Sequence, residues 1–504
     1  MKNLANQHVL VLGLGSSGLA LARWCARSGA QVSVADTRPA PPRLQALQTS
    51  VPAAHFVHSD MSEHLLADTP FDLVVKSPGL SPASVAGVMA AAQAHGIACG
   101  NELSLFSQAL ADLKAEHGYA PQVIAITGTN GKTTVTSLTG QLVLRAGKSV
   151  AVAGNIGPTL LDTLTEKLDA AALGEALPEV WVLELSSFQL DGVKNFEPTA
   201  ATVLNITQDH LDWHGTFAAY CAAKANVYGN TGSTGVMLLN RNDPQLLAAL
   251  PPLVKGKQLR SYFTFGSDAP DRPGDYGIET VNGMAWLVRA LELDETFKRR
   301  KNDEIALHIQ RLMPLDALRI RGRHNATNAL AALALAVAAG CSLAAMLHGL
   351  RDYPGEPHRM ESVGVISDVE YFDDSKGTNV GATVAALAGL GAERKLVLVL
   401  GGEGKGQDFS PLAEPVARYA RAVVLIGRDA RLIRSALQSV STPVFDAASM
   451  QEAVQVAQQQ ASAGDAVLMS PACASFDMFD DYEHRARVFC DAVRALALEE
   501  GVVL

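Results

Sequence analysis

The stretch Ile126–Leu144 reads ITGTNGKTTVTSLTGQLVL: an apolar strand runs into a glycine-rich turn and then into a helix-forming segment. Backbone N–H groups in a turn of this kind point at phosphate oxygens, a lysine neutralises the outer phosphate charge, and a following threonine can ligate magnesium. GTNGKTT therefore nominates Gly128, Thr129, Asn130, Gly131, Lys132, Thr133 and Thr134. Only two residues separate Gly128 from Gly131, where the common phosphate loop has about four between its first glycine and the Gly-Lys pair. A phosphate loop does not by itself say whether the nucleotide drives a motion, times a switch or activates a substrate.

Outward from this loop the chain is too long for one core. Its 504 residues imply roughly three domains at about 150 residues each. With 48% hydrophobic and 18% charged residues, no large disordered arm is expected. A formal charge of -10 excludes a dominant phosphate-backbone binder. The basic run FKRRKND, around Lys298–Lys301, reads as a solvated turn. Six scattered cysteines, Cys25, Cys99, Cys221, Cys341, Cys473 and Cys490, have no zinc spacing and are expected to be reduced. The N-terminus opens on a strand instead of a signal core, and no apolar run of about 18 residues occurs, so a cytoplasmic location is expected.

The first hundred residues alternate strand-like runs (HVLVLGLG, QVSVAD, FDLVVKS) with helical stretches, a rhythm that predicts a parallel sheet. The rhythm restarts at PQVIAITG and continues through EVWVLEL and ATVLNIT to HNATNALAALALAVAAG, where Asn325 precedes a helix ending at Gly340. After the Pro/Gly-rich DYPGEPHR, strands recur at KLVLVLGG, AVVLIG and AVLMSP. The reading is an α/β protein of three domains: a Rossmann-like N-terminal domain (1–110), a central phosphate-loop domain (111–354) and a Rossmann-like C-terminal domain (355–504). The stretch from Pro251 to Arg321 is the least legible.

GLGSSG follows the first strand, with Gly13, Gly15, Ser16, Ser17 and Gly18, and Asp36 ends the next strand. Glycines there admit a pyrophosphate and the acid can bond a ribose hydroxyl, so either a dinucleotide or a UDP group would fit. Glu184 ends a buried strand where a carboxylate can hold magnesium, and Asp209 and His210 come to another strand's C-terminal end. Lys224, in an otherwise apolar helical stretch, reads from composition as a surface lysine.

Together TGTNGKTT, LELSSFQL, NITQDHLDWHG, YCAAK, HNATNALAA and PHRME, in that order, resemble the Mur ligases of bacterial cell-wall synthesis. Within the family, DDSKGTN and SPACASFD with GLGSSG and DTR resemble the members that join D-glutamate to UDP-N-acetylmuramoyl-L-alanine. The resemblance implies an ATP-dependent amide-forming ligase with magnesium, two ions being expected. Thr133, Glu184, His210 and Lys224 would attend the metals, with Lys224 carbamylated; Lys132, Glu184, His210 and Lys224 would be catalytic.

The same resemblance places adenine near Asn325 and Asn328, and ribose and phosphate on Arg359, Asp374 and Lys376. Gly15, Ser16, Ser17, Gly18, Asp36, Thr37 and Arg38 would hold the uridine diphosphate, with Ser77, Asn155, Gln189 and His210 toward the muramoyl part. D-glutamate would meet Thr378, Lys405, Ser475, Phe476 and Tyr482. No nucleic-acid or membrane partner is expected, and the chain is expected to act as a monomer. The rivals are a dehydrogenase built on GLGSSG, a switch or motor NTPase built on the loop, and a sibling ligase adding another amino acid.

Overall fold

A computed structural model describes residues 3–67, 70–229, 233–254, 258–293, 306–392 and 394–502. The basic run at 297–303 lies outside the described residues. Three sheets follow one another along the chain. The first is parallel, in the spatial order His55–His58, Gln31–Asp36, His8–Leu12, Leu73–Lys76, Ala98–Asn101. Strand order reverses beside His8–Leu12, so the turn after it opens into the crevice where ligands of such sheets bind. Gly18 is required there, because a Cβ would collide with the Gly13 carbonyl and push the helix Ser16–Arg27 off the strand.

The second sheet has nine strands, with Gln122–Thr127 between Val180–Glu184 and Ala200–Val203, and Val150–Gly154 at one edge. The phosphate loop thus leaves the sheet at its own reversal of strand order. Continuous apolar runs such as VWVLE suit strands covered on both faces. Helix Arg323–Ala338 is buried almost all round and covers one of those faces.

Two sequence expectations differ here. Asn325 lies inside this helix instead of before it; Gly322, at φ +90°, makes the N-terminal turn, and the Asn325 amide bonds back to the Arg321 carbonyl at 2.8 Å. Among the described residues beyond Pro251, Tyr262–Phe265 and Tyr276–Val281 join the sheet, and Met284–Glu292 and Leu307–Pro314 extend it antiparallel, where the sequence shows no legible pattern. The third sheet has six strands in the order Glu361–Ile366, Val369–Asp373, Ala466–Met469, Leu396–Gly401, Ala420–Ile426, Val444–Asp446, parallel but for the first.

Helix Glu102–His117, which runs through residue 110, bridges the first two sheets. Phe106 meets Trp181 edge-on at 5.1 Å, and one apolar cluster runs continuously from Val9 to Leu246. At the start of this helix Glu102 is 1% exposed, and its carboxylate accepts from the Leu161 N–H at 3.1 Å. Its second oxygen has no partner, and burial raises its pKa to about 7. An acid raised from 4.5 to about 7 holds its proton longer in the folded state, so stability falls as pH rises through that window. Glu102→Gln is expected to raise the melting temperature at about pH 8 and leave it unchanged at about pH 5, as thermal melts at both pH values would show.

Candidate active site

The phosphate loop is fixed by side chains from the next strand's end. Asn205 accepts from the Asn130 N–H at 2.9 Å and donates to the Asn130 carbonyl at 3.1 Å. The Thr129 hydroxyl donates to the Thr207 carbonyl (3.1 Å) and accepts from the Thr207 N–H (3.0 Å), with the Tyr220 hydroxyl at 2.9 Å. Positive φ at Gly128 (+155°) and Gly131 (+82°) lets the loop curl, and Lys132 begins helix Lys132–Arg145.

Two lysines meet at one oxygen of this loop. Lys132 Nζ donates to the carbonyls of Gly128 (2.9 Å) and Thr129 (2.8 Å). Lys224 Nζ donates to the same Gly128 carbonyl at 2.8 Å and to Thr127 Oγ1 at 3.4 Å, and lies 4.7 Å from the centre of the Tyr220 ring. Lys224 is 2% exposed, which overturns its composition-based reading as a surface lysine. Burial, reinforced by the Lys132 charge, holds its pKa well below the ordinary lysine value, and burial also lowers that of Lys132. A lysine so placed is biased toward its neutral, nucleophilic form.

The charges of Glu184 and Asp209 act on both lysines. Glu184, 2% exposed, accepts from the Asn155 amide at 3.0 Å; Gly154 lets the two strand ends approach, since a Cβ there would strike the Glu184 carbonyl. His210 sits in the left-handed region (φ +53°), 3.5 Å from an Asp209 carboxylate oxygen and edge-on to Phe188. Desolvation lowers its pKa against the pull of Asp209, so the imidazole keeps a lone pair for a cation. Carboxylates, a hydroxyl at Thr133 and a neutral imidazole beside a phosphate loop fit magnesium. Thr133 Oγ1 also accepts from Arg359 at 2.7 Å.

A cavity between the second and third sheets is lined by Gly131, Thr134, Asn325, Asn328, Arg359, Asp374 and Lys376, and also by His324 and Phe265. Asn328 donates to Asn325 Oδ1 at 3.1 Å. Asp374 accepts from the Ser470 hydroxyl at 2.7 Å, and burial pushes its pKa up to about 7. Burial, then the Arg359 charge, lowers Lys376 to about 8; its ammonium lies 3.5 Å from the centre of the Tyr482 ring. Thr378 follows through its N–H to the Lys376 carbonyl, 2.8 Å. Lys405 (φ +51°) lies 5.6 Å from the centre of the Phe476 ring, which is 63% exposed, next to the buried Ser475.

At the first sheet Asp36 accepts from the Leu14 N–H (2.7 Å), the Arg38 N–H (2.9 Å) and the Arg38 guanidinium (2.8 Å). The Arg38 hydrogen bond is the main cause that lowers its pKa to about 2. The acid therefore organises the glycine turn as well as facing the crevice. Ser16 Oγ accepts from Arg43 at 3.4 Å, Ser17 stands in helix Ser16–Arg27 at the crevice, and the Thr37 carbonyl pairs with His58 at 3.1 Å. Ser77 borders the turn at Gly13 and Gly15. Gln189 uses its amide oxygen to cap helix Ser187–Leu190 through the Ser186 N–H at 3.0 Å. Asn205, Tyr220 and His324 stand inside the NITQDH, YCAAK and HNATNALAA motifs, yet the sequence gives them no role of their own, and Glu102 lies outside every quoted motif.

Family models match three consecutive segments: a Mur ligase MurD-like N-terminal domain at residues 7–100, the Mur ligase middle domain at 126–336 and the Mur ligase glutamate ligase domain at 358–473. The chain belongs to the Mur ligase family. Among curated Mur ligases, a protein of Albidiferax ferrireducens named UDP-N-acetylmuramoylalanine--D-glutamate ligase is 66% identical over 99% of this chain and 98% of its own length. One of the same name from Cupriavidus pinatubonensis is 56% identical, covering 99% of each. In fold, the chain is similar to MurF from Acinetobacter baumannii, with TM-score 0.57 at 18% identity over 97% of this chain and 92% of that one. MurF from Thermotoga maritima in complex with ADP also gives 0.57, at 16% identity, over 98% and 97%. Three Mur ligase domains in sequence leave the dehydrogenase and motor readings without support.

Asp36 carries a stability signature of its own. A carboxyl lowered from 3.8 to about 2 stabilises the fold above pH 3.8 and loses that contribution as pH falls toward 2. Asp36→Asn is expected to melt about 2–4 °C below the parent at neutral pH, with the gap closing as the solution is acidified below about pH 4 in calorimetry.

Proposed function

We propose that this chain is an ATP-dependent amide ligase that joins the α-amino group of D-glutamate to the carboxyl of UDP-N-acetylmuramoyl-L-alanine, releasing ADP and phosphate, in peptidoglycan precursor synthesis. The observation that carries the chemistry is the convergence of Lys132 and the buried Lys224 on the Gly128 carbonyl beside Glu184 and His210. The names of the full-length relatives support the choice of substrates.

A carboxylate is inert to amines, since its charge repels the nucleophile and oxide is a poor leaving group. Transfer of the γ-phosphoryl group to the substrate carboxylate gives an acyl phosphate and ADP. The amine of D-glutamate then attacks the acyl carbon, phosphate leaves with the bonding pair, and the amine loses a proton. Three anions must gather for this, so cations dominate the site. Lys132 steadies the transferring phosphoryl group, an electrostatic contribution of roughly 3 kcal/mol for a well-placed donor. Thr133, Glu184 and His210 would hold magnesium, two ions in our reading, which neutralises phosphate charge when bound. Lys224 is proposed to be carbamylated: its neutral Nζ adds to the carbon of CO2 and releases a proton, which turns a would-be cation into an anion facing the metals.

In the same reading Asn325 and Asn328 take the adenine, and Arg359, Asp374 and Lys376 the ribose and phosphates. The glycine turn with Ser16, Ser17, Asp36, Thr37 and Arg38 takes the uridine diphosphate, and Ser77, Asn155 and Gln189 the muramoyl part. Thr378, Lys405, Ser475, Phe476 and Tyr482 receive D-glutamate, with Lys405 as the cation for a carboxylate. The domain limits proposed are 1–110, 111–354 and 355–504, acting as a cytoplasmic monomer. Among the described residues no helix is long and apolar enough to cross a membrane.

Phosphate release measured across candidate amino acids is expected to require UDP-N-acetylmuramoyl-L-alanine and D-glutamate together; a preference for L-alanine, L-lysine or diaminopimelate would sink the assignment. Lys224→Ala is expected to lower kcat by at least about 100-fold while the protein stays folded, as circular dichroism would show. Near-parental turnover in that variant would remove Lys224 from the mechanism.

A further inference from the structure

The nucleotide cavity is roofed by one helix of the third domain, Val380–Gly391, and this helix touches the central domain through its glycines. Near its start, a Cβ on Gly381 would lie 2.8 Å from Thr207 Oγ1 and 3.4 Å from the Asn130 amide. The preceding Asn379 exchanges amide hydrogen bonds with Asn130 of the phosphate loop, at 3.1 and 3.3 Å. Two turns on, a Cβ on Gly389 would lie 2.6 Å from Nδ1 and 2.9 Å from Cε1 of His324. The same ring faces Gly322, whose own Cβ would come within 2.8 Å of Cε1.

The imidazole of His324 is therefore wedged between one glycine of the central domain and one of the third. Between the two contacts Ala382, Ala385 and Ala386 line the cavity. A second cavity, bordered by Ile320, Arg323, Gly389 and Ala392, opens beyond the ring, so the His324 contact stands as a packed point between two voids. Nδ1 is buried with no hydrogen-bond partner, and burial lowers the ring's pKa to about 4, so it packs as a neutral body.

We propose that His324 is a positioning residue for the ligase reaction: its ring, seated against Gly389 and Gly322, sets the register of helix Val380–Gly391 on the central domain. This rests on the ligase reading above and deepens it. Asp374 and Lys376 lie on the chain just before that helix, and Arg359 of the same domain reaches Thr133 of the phosphate loop. Any shift of the helix displaces them relative to Lys132. A misplacement of about 1 Å in such a site costs on the order of 100-fold in rate.

The test is a double-mutant cycle on the full-length enzyme, read as kcat and KM for each substrate together with the melting temperature. Gly389→Ala drives a methyl into the ring and is expected to lower kcat about 10–100-fold. His324→Ala is expected to lower it about tenfold by removing the seat. In the His324→Ala background Gly389→Ala has lost its collision partner, so the double variant is expected to match His324→Ala within about threefold instead of showing the roughly 100–1000-fold loss that two independent effects would multiply to.

His324→Phe, which keeps a ring but no nitrogen, is expected to retain kcat within about threefold and covers the case in which Gly389→Ala does not fold. Parental kcat in Gly389→Ala, or losses that simply multiply in the double variant, would overturn the proposal. So would a His324→Phe enzyme as poor as His324→Ala, which would make the nitrogen a nucleotide contact instead. The substrate assignment fails separately: turnover with a different amine leaves the cycle readable with that amine.

Discussion

A single carbonyl oxygen organises the site. Gly128 presents it to two lysine amines at 2.8 and 2.9 Å, in a pocket where neither lysine's hydrogen-bond partners include a carboxylate. Two ammonium groups sharing one oxygen away from water repel each other, so burial and mutual charge act together against double protonation. Lys224, the more enclosed of the two, responds most. The rest of the central domain supports this arrangement: Asn205 and Thr207 pin the loop, Tyr220 bonds Thr129 and underlies Lys224, and the charges of Glu184 and Asp209 act on both lysines.

The three sheets divide the work by where their strands end. Each places a glycine-permitted turn at a C-terminal strand edge: Gly13–Gly18 on the first, Gly128–Gly131 on the second, Gly401 and Gly402 on the third. The first two domains are joined by a continuous apolar cluster, with Lys76 bonding Asp191 at 3.0 Å and Asn101 bonding the Gln189 and Asp191 carbonyls. The third domain meets the phosphate loop through smaller polar contacts, Asn379 on Asn130 and Arg359 on Thr133, and through the His324 seat. Contacts of that kind suit a joint that brings an amine to an activated carboxyl and then releases the product.

Much of this is legible in the sequence. The phosphate loop, Glu184 and His210 follow from strand ends, because a parallel sheet collects its chemistry there. Lys224 was not legible from pattern: an isolated lysine among alanines looks like a helix surface until the fold buries that face. Asn325, which the sequence places before the helix, is its third residue, because Gly322 makes the N-terminal turn. The antiparallel strands Met284–Glu292 and Leu307–Pro314 are not legible because charge and proline obscure their alternation. The pairing of Asn130 with Asn379 and the seating of His324 on Gly389 join residues distant in sequence, and no local signal marks them.

A buried amine whose pKa is held well below the ordinary lysine value, with no acid bonded to it, is biased toward the neutral form that can add to CO2. The most direct measurement is carbon-13 NMR of the enzyme equilibrated with carbon-13 bicarbonate. The account predicts a carbamate carbon signal in the parent protein that is missing from Lys224→Ala. A fully active parent enzyme showing no such signal would contradict it.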